Sequence, residues 1–179
     1  MMSVILFRHG KSDWDAKYSQ DHDRPLAERG IKAAKKMGQL LSKKNETPDL
    51  LISSTALRAR KTAEIAAKVG RWRAHTKYEK IIYGGSVNTL LSILKKQNDR
   101  HKTICLVSHE PIFSSFVEEI TNTKWIKFPT AAMVKIIFKI EKWDEIELKP
   151  EKCDINWFIK PKDLDQLRSN RPSNSSTDI

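Results

Sequence analysis

The chain has 179 residues, of which 39% are hydrophobic and 31% are charged, and its formal net charge at pH 7 is +11. This length fits one domain with its own core, and the composition is that of an ordinary globular protein. No apolar run reaches the roughly 20 residues of a membrane-spanning helix, and the N-terminus lacks the features of a secretion signal. We therefore expect a cytoplasmic protein with no membrane partner.

Cysteine usage and charge narrow the possible functions only slightly. Cys105 lies in an apolar run and Cys153 lies far along the chain, so the sequence has neither a disulfide framework nor a C-x-x-C motif. Residues 58–80 carry eight cationic side chains and two glutamates. Such a surface attracts nucleic acid, acidic proteins or phosphorylated substrates alike. The alternative is a solvated basic face that only aids solubility.

Short apolar runs predict the strands. Residues 3–7, 49–53 and 103–107 are continuous apolar runs, which is typical of parallel strands that are covered on both faces. Closer to the C-terminus, residues 133–140 alternate in polarity, and residues 154–159 could pair with them. This pattern predicts an antiparallel strand pair at the edge of the sheet.

Four helices are predicted between and after these runs. Residues 33–41 keep helical apolar spacing, and the segment ALRARKTAEIAAKV predicts a second helix that ends at Gly70, with this glycine as the C-cap. A third helix is predicted over about residues 86–96, and a fourth follows Pro111.

The order of these elements predicts an α/β domain over residues 1–165. We expect a mostly parallel central sheet flanked by helices on both faces, with antiparallel edge strands near the C-terminus. Residues 166–179 are polar and carry Pro and Ser, which predicts a disordered tail. In such sheets, ligands bind beyond the carboxyl ends of the strands, where Arg8, His9, Ser53 and His109 fall.

The end of the first apolar run carries residues that suggest phosphoryl chemistry. Arg8, His9 and Gly10 follow one another, and the glycine permits close backbone approach. A neutral imidazole can accept a phosphoryl group, and arginine holds phosphate oxygens bidentately. Arg58 follows another predicted strand near a helix N-terminus, which favours anions, and His109 follows a third.

Three motifs, in the same order along the chain, resemble the histidine phosphatase superfamily with its phosphoglycerate mutase-like fold. They are RHG at residues 8–10, S-x-x-L-R-A-x-x-T at residues 54–62 and SH at residues 108–109. Within that superfamily, RHGKSDW followed by DHDRPLAERG closely resembles the short SixA-like phosphohistidine phosphatases. The resemblance covers about residues 3–162.

The resemblance implies a role for each matched residue. His9 would be the nucleophile and become transiently phosphorylated, while Arg8, Arg58 and His109 would hold the phosphoryl oxygens. Water would then hydrolyse the phosphoenzyme, so the reaction would need no metal and no other cofactor.

Two further residues are candidates for substrate binding. Arg24, in the matched R-P-L segment, would line the mouth of the pocket, and the alternative is a surface salt bridge with the acidic residues beside it. Ser12 would donate a hydrogen bond near the pocket or would only cap a turn.

The chain departs from many superfamily members in lacking an obvious acid. Members that cleave phosphate esters use a carboxylic acid to protonate the leaving oxygen, usually from the loop after the third strand-like segment. This chain has Gly84 and Gly85 there, and Glu79 comes too early. Glu110 is a candidate proton donor, and the alternative is that it only begins the next helix. A missing acid fits the SixA-like branch, because imidazole leaves more readily than an alkoxide.

These residues predict a phosphohistidine phosphatase whose partner is a phosphorylated protein or a small phosphorylated molecule. One alternative is a small-molecule phosphomonoesterase of the same superfamily. Another is a basic module that binds phosphoproteins or nucleic acid without turnover, with Trp72 among the cations as a stacking residue. We disfavour nucleic acid as the partner, and a metal site at Cys105 and His109 lacks further ligands at suitable spacing.

Overall fold

A computed structural model gives the fold of this chain and describes residues 1–124 and 127–169. Within these residues, six strands form one sheet in the order β3-β2-β4-β1-β5-β6. The strands are β1 (Met2–Arg8), β2 (Leu50–Ser54), β3 (His75–Glu79), β4 (Thr103–Ser108), β5 (Met133–Phe138) and β6 (Cys153–Ile159). The helices are α1 (Glu28–Lys43), α2 (Leu57–Gly70), α3 (Val87–Lys95), α4 (Ile112–Thr121) and α5 (Pro161–Ser169).

The sheet is parallel at one side and antiparallel at the other. Strands β3, β2, β4 and β1 run parallel, whereas β5 is antiparallel to β1 and β6 is antiparallel to β5. The predicted α/β fold with antiparallel strands near the C-terminus is therefore confirmed. Of this antiparallel pair, only β6 is at the edge of the sheet, because β5 pairs with a neighbour on each side.

Both faces of the sheet are buried, and strand β1 shows how. Val4 and Leu6 belong to the core that includes α3 and α4, whereas Ile5 and Phe7 belong to the core that includes α1 and α2. A strand that is covered on both sides has no polar face, which explains its continuous apolar run.

Helices α1 and α2 approach each other closely at two glycines. A Cβ atom on Gly38 would lie 2.3 Å from the carbonyl oxygen of Ala66, and one on Gly70 would lie 2.4 Å from that of Gly38. Helix α2 ends at Gly70 as predicted, but the prediction that Gly70 is the C-cap was wrong. Arg71 takes that place with a positive φ of 53°, and Gly70 is required by packing.

Two elements were not predicted. Strand β3 has the polar sequence HTKYE and pairs with β2 only, so an edge position rather than apolar burial defines it. Helix α5 begins at Pro161 and passes residue 165, where the predicted domain ends. The predicted tail therefore starts inside this helix, and its residues 170–179 lie outside the described residues. No helix in the described part of the chain is long and apolar enough to cross a membrane.

Candidate active site

The carboxyl ends of neighbouring strands bring the predicted residues together. His9 follows β1, His109 follows β4, and Arg58 is the second residue of the helix that follows β2. The ring centroids of His9 and His109 lie 5.1 Å apart. Adjacent parallel strands end at one edge of the sheet, so residues 100 positions apart in sequence meet there.

The surroundings of His9 hold it as a neutral imidazole of one tautomer. Its Nδ1 lies 2.7 Å from the carbonyl oxygen of Gly10 and donates a hydrogen bond to it. In the neutral ring, Nε2 therefore carries no proton and keeps its lone pair. Burial lowers the pKa of His9 to about 3 against the opposing hydrogen bond to Gly10. Coulombic repulsion from His109 in its protonated form, and from Arg58 and Arg8, lowers this pKa further. His9 thus keeps a free lone pair at neutral pH.

The loop that carries His9 is fixed from both sides. The backbone N–H of Gly10 donates to Thr62 Oγ1 at 3.0 Å, and that hydroxyl donates to the carbonyl oxygen of Arg58 at 2.7 Å. From the other side, Gly30 lies so close that a Cβ atom on Gly10 would be 2.7 Å from its carbonyl oxygen. Glycine is therefore required at position 10, because the backbone of α1 comes too close for a side chain.

Arg8, Arg58 and His109 each keep a buried nitrogen without a hydrogen-bond partner in the described part of the chain. These atoms are Arg8 Nε, Arg58 Nε and His109 Nδ1. Arg8 also donates from Nη1 to the carbonyl oxygen of Phe128 at 2.7 Å, and His109 Nε2 lies 2.9 Å from Ser54 Oγ. Buried polar groups are normally paired, so three unpaired nitrogens on neighbouring residues are unusual and mark this place as a candidate site.

His109 is held neutral like His9. Burial, followed by the charge of Arg58, lowers its pKa to about 4, although Asp21 acts in the opposite direction. The pKa of Arg8 is also lowered by burial, against the nearby carboxylate of Glu110.

Asp21, which the sequence analysis considered only as a surface partner of Arg24 and not as a site residue, connects the cationic residues. Its Oδ1 accepts from Arg24 Nε and Nη2 at 3.0 and 2.8 Å, and its Oδ2 accepts from Arg58 Nη2 and the Tyr83 hydroxyl, each at 3.0 Å. Its carbonyl oxygen accepts from Arg58 Nη1 at 2.8 Å. Partial burial raises the pKa of Asp21, but these hydrogen bonds and charges outweigh it and lower the pKa to about 2.

Arg24 and Ser12 form one buried unit. Arg24 donates from Nη1 to Ser12 Oγ, so Ser12 is an acceptor here. The predicted alternative for Arg24, a salt bridge with Asp21, is present, but the arginine is buried rather than on the surface. Its guanidinium also lies 3.6 Å from the ring centroid of Trp14, which is 62% exposed.

Tyr83 occupies the loop where many superfamily members carry an acid. Its ring makes edge contacts with His109 at 5.7 Å and with His22 at 5.1 Å between centroids. It lines a pocket of about 380 Å³, together with Arg58, Ile82, Gly84, Gly85, His109, Glu110, Pro111 and Ile112. No local sequence pattern indicates this tyrosine, because its place depends on two distant loops that meet.

Glu110 lines the same pocket, but its carboxylate is used by the next helix. Ser114 donates to it twice, from its backbone N–H to Oε1 at 3.1 Å and from its hydroxyl to Oε2. This contact supports the interpretation in which Glu110 begins helix α4.

Comparison with known proteins assigns this arrangement to a family. The model of the histidine phosphatase superfamily (branch 1) matches residues 4–80. An uncharacterized protein of Mycobacterium tuberculosis H37Rv is 31% identical over 150 residues, which are 78% of this chain and 91% of the relative. The chain belongs to the histidine phosphatase superfamily.

Solved structures of this superfamily share the fold. A structure assigned as the phosphohistidine phosphatase SixA of Agrobacterium tumefaciens is 25% identical, with a TM-score of 0.75 over 89% of this chain and 98% of that one. The protein histidine phosphatase SixA in complex with tungstate has a TM-score of 0.76 at 22% identity, over 91% of this chain and 99% of that one. With the family match, these similarities identify the chain as a phosphatase of the histidine phosphatase superfamily.

Proposed function

We propose that the chain is a phosphohistidine phosphatase that acts through a phosphorylated His9. The observation that carries this proposal is the state of His9, which is buried and neutral and donates from Nδ1 to Gly10. Its Nε2 lone pair is then available to attack phosphorus. The similarity to SixA structures supports the choice of substrate.

In the first step, His9 Nε2 forms a bond to phosphorus and the P–N bond of the substrate breaks. The leaving imidazole of the substrate takes the electron pair and a proton from water. Arg8 and Arg58 hold the phosphoryl oxygens, because guanidinium groups bind phosphate bidentately, and His109 contacts the same group. In the second step, water attacks phosphorus, the bond to His9 breaks and inorganic phosphate leaves.

The wall of the pocket favours a leaving group that departs from phosphorus without protonation by a strong acid. Where an acid would protonate an alkoxide, Tyr83 presents an aromatic ring beside His109. The pKa of its hydroxyl is raised by burial and by its hydrogen bond to Asp21, which makes it a weak proton donor. A flat imidazole leaving group fits such a wall, and it leaves phosphorus without the strong acid that an ester requires.

A small-molecule phosphomonoesterase is the second candidate. Glu110 favours it, because this carboxylate lines the pocket that Tyr83 and His109 also line. If Glu110 released Ser114, it could protonate an ester oxygen.

A paired assay separates the two candidates. We would measure phosphate release from a phosphohistidine protein and from an aryl phosphate, without added metal, for the wild type and for His9→Ala. His75→Ala is the control, because His75 is exposed on strand β3. We expect a strong preference for the phosphohistidine protein that His9→Ala abolishes and His75→Ala preserves. Preference for the ester would favour the phosphomonoesterase, and release that does not depend on His9 would overturn both.

A further inference from the structure

A second groove, of about 510 Å³, shares no lining residue with the pocket at Tyr83. Four of the residues that line it are cationic: Lys11, Arg29, Lys160 and Lys162. The remaining lining residues are Ala33, Pro129, Thr130, Pro161 and Asp165.

This groove begins at the loop that carries His9. Lys11 is two residues after His9, and its carbonyl oxygen accepts from the N–H of Ala27 at 2.9 Å, just before α1. Pro129 and Thr130 lie in a segment that is bonded to the same loop, since Ala131 N–H donates to the carbonyl oxygen of His9 at 3.1 Å. A chain that lies in the groove would therefore extend directly from the phosphoryl site.

The charge of the groove is not neutralised by the protein. Across residues 1–124 and 127–169, no salt bridge is formed by Lys11, Arg29, Lys160 or Lys162. The acidic lining residue, Asp165, pairs with Lys36 instead. Lys160 has a ring contact, with its Nζ 5.3 Å from the centroid of Phe158.

Two of these cations stand where helix electrostatics disfavour them. Arg29 is the second residue of α1, and Lys162 is the second residue of α5. The positive end of a helix dipole stabilises anions and destabilises cations in the first turn. Neither charge therefore stabilises the helix that carries it, and an anion in the groove would interact favourably with both.

We propose that this basic groove, formed by Lys11, Arg29, Lys160 and Lys162, binds an acidic segment of the phosphoprotein substrate next to its phosphohistidine. The proposal rests on the phosphohistidine phosphatase function and names a feature of the substrate. Polypeptide is favoured over nucleic acid because Lys11, which lines the groove, is two residues from His9, whose proposed substrate is a phosphorylated side chain. Acidic side chains would pair with the four cations and lower KM, while the chemical step at His9 stays unchanged.

The test uses two phosphohistidine peptides that differ only in a flanking segment, six glutamates in one and six glutamines in the other. For the full chain, we expect kcat/KM to be about tenfold higher for the glutamate peptide, on the scale of several exposed ion pairs, with equal kcat. In the variant R29E/K160E/K162E this advantage should vanish, while turnover of an aryl phosphate stays as in the wild type.

A second triple variant controls for the change in net charge. Lys68 and Lys95 are exposed cations in the last turns of α2 and α3, and Arg73 is an exposed cation three residues after α2; the site lies at the other ends of these helices. The variant K68E/R73E/K95E changes the charge equally and should keep the advantage of the glutamate peptide. An equal loss in both triple variants would mean a general field effect and would overturn the groove as the docking site.

Binding without turnover separates this proposal from the proposed function. Fluorescence anisotropy with the two unphosphorylated peptides should show tighter, salt-sensitive binding of the glutamate peptide to the wild type than to R29E/K160E/K162E. If that result holds while neither phosphopeptide is hydrolysed, the docking surface stands and the phosphohistidine function fails. Equal binding of both peptides, or groove-dependent binding of a single-stranded oligonucleotide in their place, would overturn the docking proposal.

Discussion

At the scale of single residues, the protonation of His9 sets the pH dependence of the reaction. Burial lowers the pKa of His9 to about 3 and that of His109 to about 4, and the attacking ring must be unprotonated. We expect kcat/KM, corrected for ionisation of the substrate, to stay level from about pH 8 to about pH 5 and to fall only below about pH 4, as His9 becomes protonated. A fall centred near the ordinary pKa of histidine, about 6.5, would contradict this account.

Asp21 positions the arginines, and its charge also repels a phosphoryl group. In Asp21→Asn, the contacts with Arg24 and Arg58 weaken while a negative charge is removed. We therefore expect kcat to fall about tenfold and KM not to rise, on the scale of one charged hydrogen bond. Asp23→Asn, at an exposed neighbour, is the control and should leave both constants unchanged. A raised KM with unchanged kcat would mean that Asp21 serves only ground-state binding.

Glu110 tests whether the site contains an acid. Its carboxylate is bound by Ser114, so Glu110→Gln should change the turnover of aryl phosphates by less than about twofold, well below a general-acid effect. Glu119→Gln, at an exposed position on the helix that follows Glu110, is the control. The measurement uses aryl phosphates with good and poor leaving groups. A large loss confined to the poor leaving groups would identify Glu110 as a proton donor.

At the scale of elements, the contact between α1 and α2 supports the site, because α1 also packs on the loop of His9. Gly38→Ala places a Cβ atom 2.3 Å from the carbonyl oxygen of Ala66. Overpacking costs about 1–3 kcal/mol, which exceeds the gain in helix propensity of up to about 1 kcal/mol. We expect a lower free energy of unfolding in urea, whereas the exposed Gln39→Ala should not lower it. A Gly38→Ala protein as stable as the wild type would show that the helices can move apart.

Which elements could be predicted from the sequence depends on how they are buried. Strands β1, β2 and β4 are covered on both faces and read as apolar runs, whereas β3 is at the edge and carries no such pattern. His9 and Arg58 lie in recognisable motifs. Asp21 could have been found from its place three residues before Arg24, but its partners at Arg58 and Tyr83 depend on tertiary contacts that no local pattern encodes.

At the scale of the whole molecule, the cationic side chains have different roles: some belong to the site, some form salt bridges and others remain without a salt bridge. In residues 58–80, Arg58 belongs to the site, and Arg60 and Lys61 pair with Glu64. Trp72, the proposed stacking residue of a nucleic-acid surface, is buried and donates from Nε1 to the carbonyl oxygen of Gly38. Trp72 is therefore not available for stacking in this basic segment, and the cations without salt bridges next to the site suit an acidic protein better.

Direct detection of the phosphoenzyme is the most direct test of the central claim. The protein would be mixed with a phosphohistidine protein, quenched in alkali within milliseconds, digested and mapped by mass spectrometry. We predict one phosphoryl group on the peptide that contains His9, which forms before phosphate is released and is absent in His9→Ala. Phosphate release with no phosphorylated His9 at any time, or a phosphoryl group on another residue, would contradict the mechanism.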